Sequence, residues 1–272
     1  MKTASKLRDG DRAPAPQRKA KTEPALPANH ICSVLYSDEQ LVVVDKRAGF
    51  PVVPMSQYQE RSVLRVLMRL GFGACYPVSL LDREATGLVL LSRDQATARS
   101  MRWNWRSSLC ERKYLAVAQG VIPGARGRIT LPIGMVQAGG TRRRGVLAQD
   151  QGGRHAETRW RLLARGRGMS RLLLTIGAGR CHQIRIHLAA IGHPIVNETV
   201  YVERNAEAPI DQLLDGTERR HEVVRLAPQQ IGLHLWRVQV AHPATGAIVH
   251  LEAPIPRELL DLMPGAWIVD EA

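Results

Sequence analysis

The stretch "SLLDREATGLVLLSRD", residues 79–94, carries charged residues into an otherwise apolar segment. Apolar runs at 80–81 and 88–91 flank the charged triplet at 82–84. The pattern predicts a strand, a loop and a strand, with Asp82 on the loop. A carboxylate beside apolar strands is costly unless a cation or hydrogen-bond donors keep it ionised. We therefore expect either an ordinary surface turn or a functional carboxylate with a basic partner.

The charge balance of the chain indicates a polyanionic partner. The 272 residues, enough for one large domain or two small ones, include 38 Lys and Arg against 25 Asp and Glu, a formal net charge of +13. Basic side chains that neutralise phosphates release condensed counterions, which favours binding to nucleic acid. The charge alone also fits a protein that binds a membrane surface.

The cysteines and the N-terminal sequence indicate a cytoplasmic protein. The four cysteines, Cys32, Cys75, Cys110 and Cys181, form no Cys-x-x-Cys pair and predict reduced thiols without a zinc site. The N-terminal residues lack the apolar core of a signal peptide, and no apolar run approaches the roughly 18 residues of a membrane span. We predict a basic, flexible tail over residues 1–28, which either touches RNA non-specifically or has no role, and one domain over residues 29–272.

The order of the elements predicts an α+β fold around a mostly antiparallel mixed sheet with flanking helices. Strand patterns at 33–44 and 113–119, a helical pattern at 61–70 and a helix capped by Asp94 alternate without a regular βαβ rhythm. The Arg-rich segment "GGTRRRG", residues 139–145, is predicted to be a flexible turn between strands, and "HPATG", residues 242–246, the turn of a closing hairpin. Gly-rich phosphate-binding motifs are absent from the sequence, so no nucleotide cofactor is expected.

Four stretches, in the correct order, resemble the RluA-type family of RNA pseudouridine synthases. The family's His-Arg-Leu-Asp-x-x-Thr-Ser-Gly-Leu is similar to residues 79–88, and its Lys-x-Tyr-Leu-Ala to residues 112–116. Its Gly-Arg-Thr-His-Gln-Ile-Arg-Val-His-Leu is similar to "GRCHQIRIHL", residues 179–188, which "IGHPIV" follows. Its closing Leu-His-Ala-Trp and His-Pro-x-Thr-Gly are similar to "LHLW" and "HPATG". The segment "VVVDKRAG" also resembles the family's Asn-Lys-Pro-Ala-Gly.

The resemblance implies a single catalytic domain with an RNA-binding cleft and gives roles to three residues. Asp82 would be the nucleophile, Arg185 its partner, and Tyr114 would pack against the target base. The implied partner is rRNA or tRNA, and neither a metal nor another cofactor is implied. Fewer than about thirty residues precede the first predicted strand, too few for the S4 RNA-binding domain that many relatives carry, and we expect a monomer.

The chemistry of uridine isomerisation requires such a carboxylate. The N1–C1′ bond must break, the uracil must rotate, and C5 must join C1′. An ionised Asp82 close to C1′ stabilises the positive sugar or traps it covalently, and Arg185 keeps Asp82 ionised. Apolar neighbours exclude the water that would hydrolyse the intermediate. Tyr114 is expected to stack on the uracil, and its hydroxyl to take part in removing the C5 proton.

A further set of residues is expected to contact RNA: Leu80, Arg83, Thr86, Arg180, His182, Gln183, Arg142, Arg143 and Arg144. At the position of Leu80 the family has an arginine that fills the gap left by the flipped nucleotide. Leucine lacks the planar guanidinium but can act as an apolar wedge. For the arginines at 142–144 a solvated charge run is an equal alternative.

Competing interpretations stay open at the level of the sequence. Tyr114 is also a candidate for simple core packing, and Arg185 for a surface cation. His182 and His187 are not accompanied by a third metal ligand. Without the family arginine the chain fits a catalytically impaired RNA-binding or ribosome-assembly factor. The closeness of Asp82 and Glu84 fits a hydrolase of glycosidic bonds, although the family has no second essential carboxylate there.

Overall fold

The structure is a computed structural model that describes residues 27–55, 58–105, 110–138, 140–177, 179–202 and 226–265. The predicted tail, residues 1–28, lies outside these ranges except for its last two residues, and a short 3₁₀ helix, Ala28–His30, begins there. The division into a tail and one domain therefore stays a prediction. Within the described ranges no helix is both long and apolar enough to cross a membrane.

The described part of the chain forms twelve strands and four α-helices. The strands are β1 (Cys32–Ser37), β2 (Leu41–Lys46), β3 (Tyr76–Pro77), β4 (Thr86–Ser92), β5 (Glu111–Gln119), β6 (Arg126–Ile129), β7 (Ile133–Ala138), β8 (Thr141–Val146), β9 (Thr158–Gly166), β10 (Met169–Ile176), β11 (Leu233–Ala241) and β12 (Ile248–Glu252). The helices are α1 (Val63–Arg69), α2 (Gln95–Asn104), α3 (Gln183–Ala190) and α4 (Arg257–Leu262).

One sheet organises the fold. Its main path runs β1-β2-β4-β11-β5-β10-β9-β6, with β12 paired to β11 and β3 paired to β4, which makes a 10-stranded sheet. The described strand pairs are antiparallel except β4 with β11, which is parallel. The predicted α+β fold around a mostly antiparallel mixed sheet is confirmed. The helix that Asp94 caps and the closing hairpin at residues 242–246 are confirmed as well.

The central strands are buried on both faces of the sheet. Strand β5 is an example, because its side chains contribute to two different core clusters. Successive side chains of a strand point to opposite faces. Tyr114, Ala116 and Ala118 belong to the large core cluster, whereas Leu115 and Val117 belong to a smaller cluster. The smaller cluster also contains residues of α4, a helix that the sequence pattern did not reveal. The strand that follows the quoted charged triplet, β4, is buried along its whole length.

The prediction for the Arg-rich segment is wrong, because residues 142–144 lie in a strand and not in a turn. Strand β8 pairs with β7 as a separate two-stranded sheet, with Arg143 opposite Val136 and Arg144 opposite Met135. The arginines of β8 are exposed, so no apolar alternation marks the strand in the sequence. The first strand expected in residues 79–94 is also wrong, since only the two-residue β3 stands ahead of the loop.

The parallel contact between β4 and β11 depends on a glycine. Gly87 has φ +111, and a Cβ built on it would lie 2.3 Å from the Leu235 carbonyl oxygen. A side chain at this position would separate the two strands that carry the centre of the sheet.

Gly87→Ala is therefore expected to lower the free energy of unfolding by about 2–4 kcal/mol, the sum of backbone strain and a clash with backbone. Gly71→Ala is the control, because Gly71 has φ +85 but nothing within 4 Å of a built Cβ. The control should lose only about 1 kcal/mol, from the conformational preference alone. Urea unfolding of the two variants measures the difference, and equal losses would contradict the close approach.

Candidate active site

Asp82 lies on the loop that leads from β3 into β4. The loop is fixed on one side by the Ser79 hydroxyl, which accepts a hydrogen bond from the Leu90 N–H at 3.1 Å. On the other side the Ala85 N–H donates to the Asp82 carbonyl at 3.2 Å and closes a tight turn. The Asp82 side chain is 22% exposed, so its carboxylate lies at the mouth of the site.

Lys46, at the end of β2, binds backbone carbonyl groups of the Asp82 loop. Its side chain is fully buried, and its ammonium donates to the carbonyl oxygens of Arg47 (2.9 Å), Arg83 (3.1 Å) and Ala85 (2.7 Å). Burial lowers the pKa of Lys46 to about 7, while the charges of Asp82 and Glu84 raise it. The segment around this lysine resembles the family's Asn-Lys-Pro-Ala-Gly, but the sequence pattern assigns the lysine no role. A lysine at the end of a β-branched run was the signal.

Arg185 brings a cation to the Asp82 loop from α3. The guanidinium is 1% exposed, and its Nη1 lies 3.3 Å from Asp82 Oδ2 and 3.3 Å from Glu84 Oε2. The structure thus places the two predicted partners, 103 residues apart in sequence, within an ion-pair distance. Glu84 lies on the same loop and shares the same nitrogen of Arg185.

Glu198, a residue that the sequence analysis missed, binds the other side of the Arg185 guanidinium. Nε donates to Oε2 at 2.6 Å and Nη2 to Oε1 at 2.8 Å, and the Glu198 side chain is completely buried. The backbone N–H groups of Thr199 and Val200 donate to Oε1 as well. Burial alone would raise the pKa of Glu198, but Arg185 and the backbone N–H groups of Val200 and Tyr201 lower it. The bidentate pair fixes the plane of the guanidinium and directs Nη1 toward Asp82.

Tyr201 connects Arg185 with His182 and with the β7–β8 hairpin. Its hydroxyl lies 2.7 Å from His182 Nδ1, and His182 Nε2 lies 3.8 Å from Asp82 Oδ1. The guanidinium groups of Arg185 and Arg143 lie 5.6 and 5.7 Å from the centre of the Tyr201 ring. Arg143 also donates to the Val200 carbonyl, which joins the hairpin to the site. Tyr201, like Glu198, comes from the segment just after "IGHPIV".

Tyr114 faces the large core cluster from β5 and is 9% exposed. Burial raises the pKa of Tyr114 to about 12; the Arg112 charge lowers it, and the Asp82 charge raises it. The phenol is therefore neutral near pH 7. A neutral phenol donates a hydrogen bond or stacks, but it is a poor acceptor for the C5 proton, which disfavours the expected part in proton removal.

The remaining predicted RNA contacts divide into buried and exposed residues. Thr86 is 7% exposed, and its hydroxyl oxygen lies 2.8 Å from His234 Nδ1. Burial lowers the pKa of His234 to about 4. Gln183 is 2% exposed and donates to the Glu157 carbonyl at 2.8 Å. The structure therefore does not bring Thr86 or Gln183 to the surface, and both hold the backbone around the site.

Three further predicted RNA contacts reach solvent, one fully and two in part. The Leu80 side chain is 71% exposed, two positions before Asp82. Arg83 is half-buried and donates to Glu84 and to the Tyr58 hydroxyl at 2.6 Å. Arg180 is also half-buried and donates to the His155 carbonyl at 3.1 Å. The site thus consists of the Asp82 carboxylate, the buried Arg185 guanidinium behind it, and a basic rim. The rim is formed by Arg83, Arg180 and the arginines of β8.

Two solved structures share this fold. Human RNA Pseudouridylate Synthase Domain Containing 1 matches with a TM-score of 0.66 and 22% identity, over 89% of this chain and 89% of that chain. Human RNA Pseudouridylate Synthase Domain Containing 4 matches with a TM-score of 0.63 and 22% identity, over 84% of this chain and 90% of that one. The fold is therefore that of the pseudouridylate synthases.

The sequence matches establish the family. Residues 40–190 match the model of the RNA pseudouridylate synthase family, and this chain belongs to that family. The Ribosomal large subunit pseudouridine synthase D of Pseudomonas aeruginosa is 30% identical, over 85% of this chain and 70% of that protein. An uncharacterised RNA pseudouridine synthase of Synechocystis is 27% identical, over 85% of this chain and 67% of that protein. The family and the enzyme class predicted from the motifs are confirmed.

Proposed function

We propose that this protein isomerises uridines in ribosomal RNA to pseudouridine, with Asp82 as the nucleophile. The observation that carries the proposal is the ion pair of Asp82 Oδ2 with Arg185 Nη1 at 3.3 Å, with the carboxylate at the mouth and the guanidinium buried. Ribosomal RNA is preferred over tRNA because relatives at 30% identity are named for the ribosomal large subunit.

In the proposed reaction Asp82 acts at C1′ of the target uridine. The N1–C1′ bond breaks with its electron pair going to the uracil, and the carboxylate stabilises or traps the sugar. The uracil turns, C5 joins C1′ and displaces the Asp82 carboxylate where it is bonded there, and the C5 proton is lost while N1 gains a proton. Buried neighbours of the loop, such as Leu81 at 9% exposure, help to exclude the water that would divert the intermediate to an abasic product.

Two glutamates position the reacting groups in this account. Glu198 orients Arg185, and Arg185 in turn holds the Asp82 carboxylate in one rotamer through the contact at 3.3 Å. Glu84 occupies the second place on Nη1 and also binds Arg83 at 2.9 Å, so it ties the loop to the buried cation. Glu84 is thus held by two guanidinium groups, which suits a positioning role, and we assign the chemistry to Asp82.

The state of Glu84 also bears on the hydrolase alternative. A hydrolase of glycosidic bonds needs one carboxyl group with a raised pKa that protonates the leaving group. Although burial would raise the pKa of Glu84, its backbone and Arg83 hydrogen bonds and the Arg185 charge lower it. Glu84 is therefore ionised at neutral pH and unsuited to that role, which favours isomerisation.

We propose that the basic rim binds the RNA backbone, while Leu80 fills the space that the target uridine leaves. Arg142 and Arg144 are exposed on β8, and Arg143 joins that strand to Tyr201, so the hairpin offers phosphate contacts beside Asp82. The 71% exposure of Leu80 suits an apolar wedge, since a core leucine would be buried. Thr86 and Gln183 act in this account through the shape of the site.

Leu80→Ala is expected to slow turnover by about 10- to 100-fold on a folded RNA, because a lost leucine contact is worth about 1–3 kcal/mol. The defect should shrink on an RNA that presents the target uridine unpaired. Leu70→Ala, which truncates a leucine that is 49% exposed after α1, is the control and should leave both rates unchanged. Single-turnover rates on the two RNAs decide the matter. Equal slowing on both substrates would show that Leu80 does not assist flipping.

The proposed substrate is tested by mapping pseudouridines across all RNAs of the host with and without the gene. The proposal predicts that sites in large-subunit ribosomal RNA disappear with the gene and return with a wild-type copy. Loss of sites in tRNA alone would contradict the choice of ribosomal RNA. A cytoplasmic location and a monomeric state also stay proposals; size-exclusion chromatography with light scattering measures the second.

A further inference from the structure

Helix α2 exposes a tryptophan that the site described above does not use. Trp103 is 80% exposed, more than any other large apolar side chain in the described part of the chain. The helix packs on the sheet through Ala98 and Met101, which are buried, so Trp103 does not serve its attachment. A tryptophan side chain that is this strongly exposed is common on surfaces that bind another molecule.

The surface around Trp103 is basic. Arg99 stands one turn before Trp103 on the helix and Arg102 directly before it, and both are exposed. Residues 95–104, "QATARSMRWN", contain no acidic residue. Positions three and four apart share a helix face, so the indole and the Arg99 guanidinium project from the same side. A cationic surface with a free aromatic ring matches the chemistry of single-stranded RNA, whose phosphates and base faces it can bind together.

Contacts through Arg112 connect the end of α2 to the candidate active site. The Arg112 guanidinium lies 5.3 Å from the Trp105 ring centre, just after the helix, and its Nη2 donates to the Ile176 carbonyl at 3.3 Å. Its Nη1 would lie 3.0 Å from a Cβ built on Gly179. Gly179 leads directly into the turn that carries His182 beside Asp82. Through the buried Arg112 the end of α2 therefore contacts the segment that leads to the candidate active site.

We propose that Trp103 stacks on an unpaired nucleobase of the substrate RNA, with Arg99 and Arg102 on the neighbouring phosphates. The proposal rests on RNA being the substrate, and it adds a second contact to the site at Asp82. Stacking explains why the indole is exposed and why cations surround it. It also predicts a preference for RNA with unpaired bases near the target, because a base inside a duplex offers no free face to the indole.

The test measures the affinity of the full-length protein for two RNAs that contain no target chemistry. One is an unstructured single strand of about 20 nucleotides of A and C only, and the other is a duplex of about 20 base pairs, both labelled with fluorescein. Trp103→Ala should weaken single-strand binding by about 5- to 100-fold and leave duplex binding within a few-fold. Trp103→Phe should keep most of the affinity, because it keeps an aromatic face.

Salt dependence separates the stacking residue from its cationic neighbours. Trp103→Ala should leave the slope of log affinity against log salt unchanged, whereas Arg99→Gln with Arg102→Gln should reduce it. Ile248→Ala, which truncates a side chain 50% exposed on β12, is the control and should bind both RNAs like the wild type.

Two results would overturn the proposal: wild-type affinity of Trp103→Ala for the single strand, or an equal loss on both RNAs. Urea unfolding of each variant checks that the fold is intact. Because the single strand contains no uridine, failure here leaves the proposed isomerisation untouched, and that function fails separately if the wild type makes no pseudouridine.

Discussion

Asp82→Asn is expected to abolish pseudouridine formation while RNA affinity stays within a few-fold of the wild type. The amide keeps the shape of the carboxylate but has neither its charge nor its nucleophilicity. The ion pair with Arg185 at 3.3 Å is lost with the charge, so both the attack at C1′ and the stabilisation of the sugar disappear. Release of tritium from RNA labelled at uridine C5 measures the rate, and fluorescence anisotropy measures the affinity.

The control for this variant removes a carboxylate elsewhere. Asp261→Asn on α4 breaks only a surface contact with Arg257 at 3.7 Å and should leave the rate and the affinity unchanged. If Asp82→Asn forms pseudouridine at the wild-type rate, Asp82 has no part in the mechanism. If Asp82→Asn loses RNA binding as well, the loop is a binding element and the loss of activity says nothing about chemistry.

Arg185→Lys is expected to slow the reaction by at least about 100-fold, even though it keeps the positive charge. The guanidinium donates to Glu198 at 2.6 and 2.8 Å and reaches Asp82 at 3.3 Å with a third nitrogen. An ammonium group cannot hold that geometry at both carboxylates, so either Glu198 is left buried with fewer donors or Asp82 loses its partner. Single-turnover rates measure the effect.

Stability must be measured with this variant, because a buried ion pair is disturbed. Breaking such a pair costs about 3–5 kcal/mol when one partner is removed, and Arg185→Lys should cost less because the charge remains. Arg257→Lys, on an arginine whose side chain is 90% exposed, is the control and should change neither stability nor rate. A single-turnover rate near wild type in folded Arg185→Lys would contradict the positioning of Asp82 by Arg185.

The family motifs in the sequence predicted that Asp82 and Arg185 form a pair, and the structure places the two side chains 3.3 Å apart. The sequence did not reveal Glu198, since an isolated glutamate between polar residues resembles any surface turn. Only the fold shows that the chain after α3 returns to the far side of the guanidinium, where Glu198 becomes fully buried. Lys46 was missed although it ends a β-branched run, because its partners are backbone carbonyl groups, which no residue type marks in the sequence.

Exposure was the other property that the sequence could not give. Leu80 and Leu81 are identical neighbours in sequence, yet one is 71% and the other 9% exposed. The arginines of β8 are all exposed, so the strand shows no alternation of apolar and polar residues that a sequence pattern could detect. Strand pairing there depends on β7 and on contact with α3, both set by tertiary structure.

Identification of the reaction product shows whether the centre at Asp82 isomerises uridine. Purified protein is incubated with large-subunit ribosomal RNA from a host that lacks the gene, and the digested nucleosides and released bases are separated by chromatography. The account predicts pseudouridine with the wild type, none with Asp82→Asn, and no free uracil with either. Release of free uracil would make the protein a hydrolase, and unchanged uridine with the wild type would make it an RNA-binding factor; either result contradicts the account.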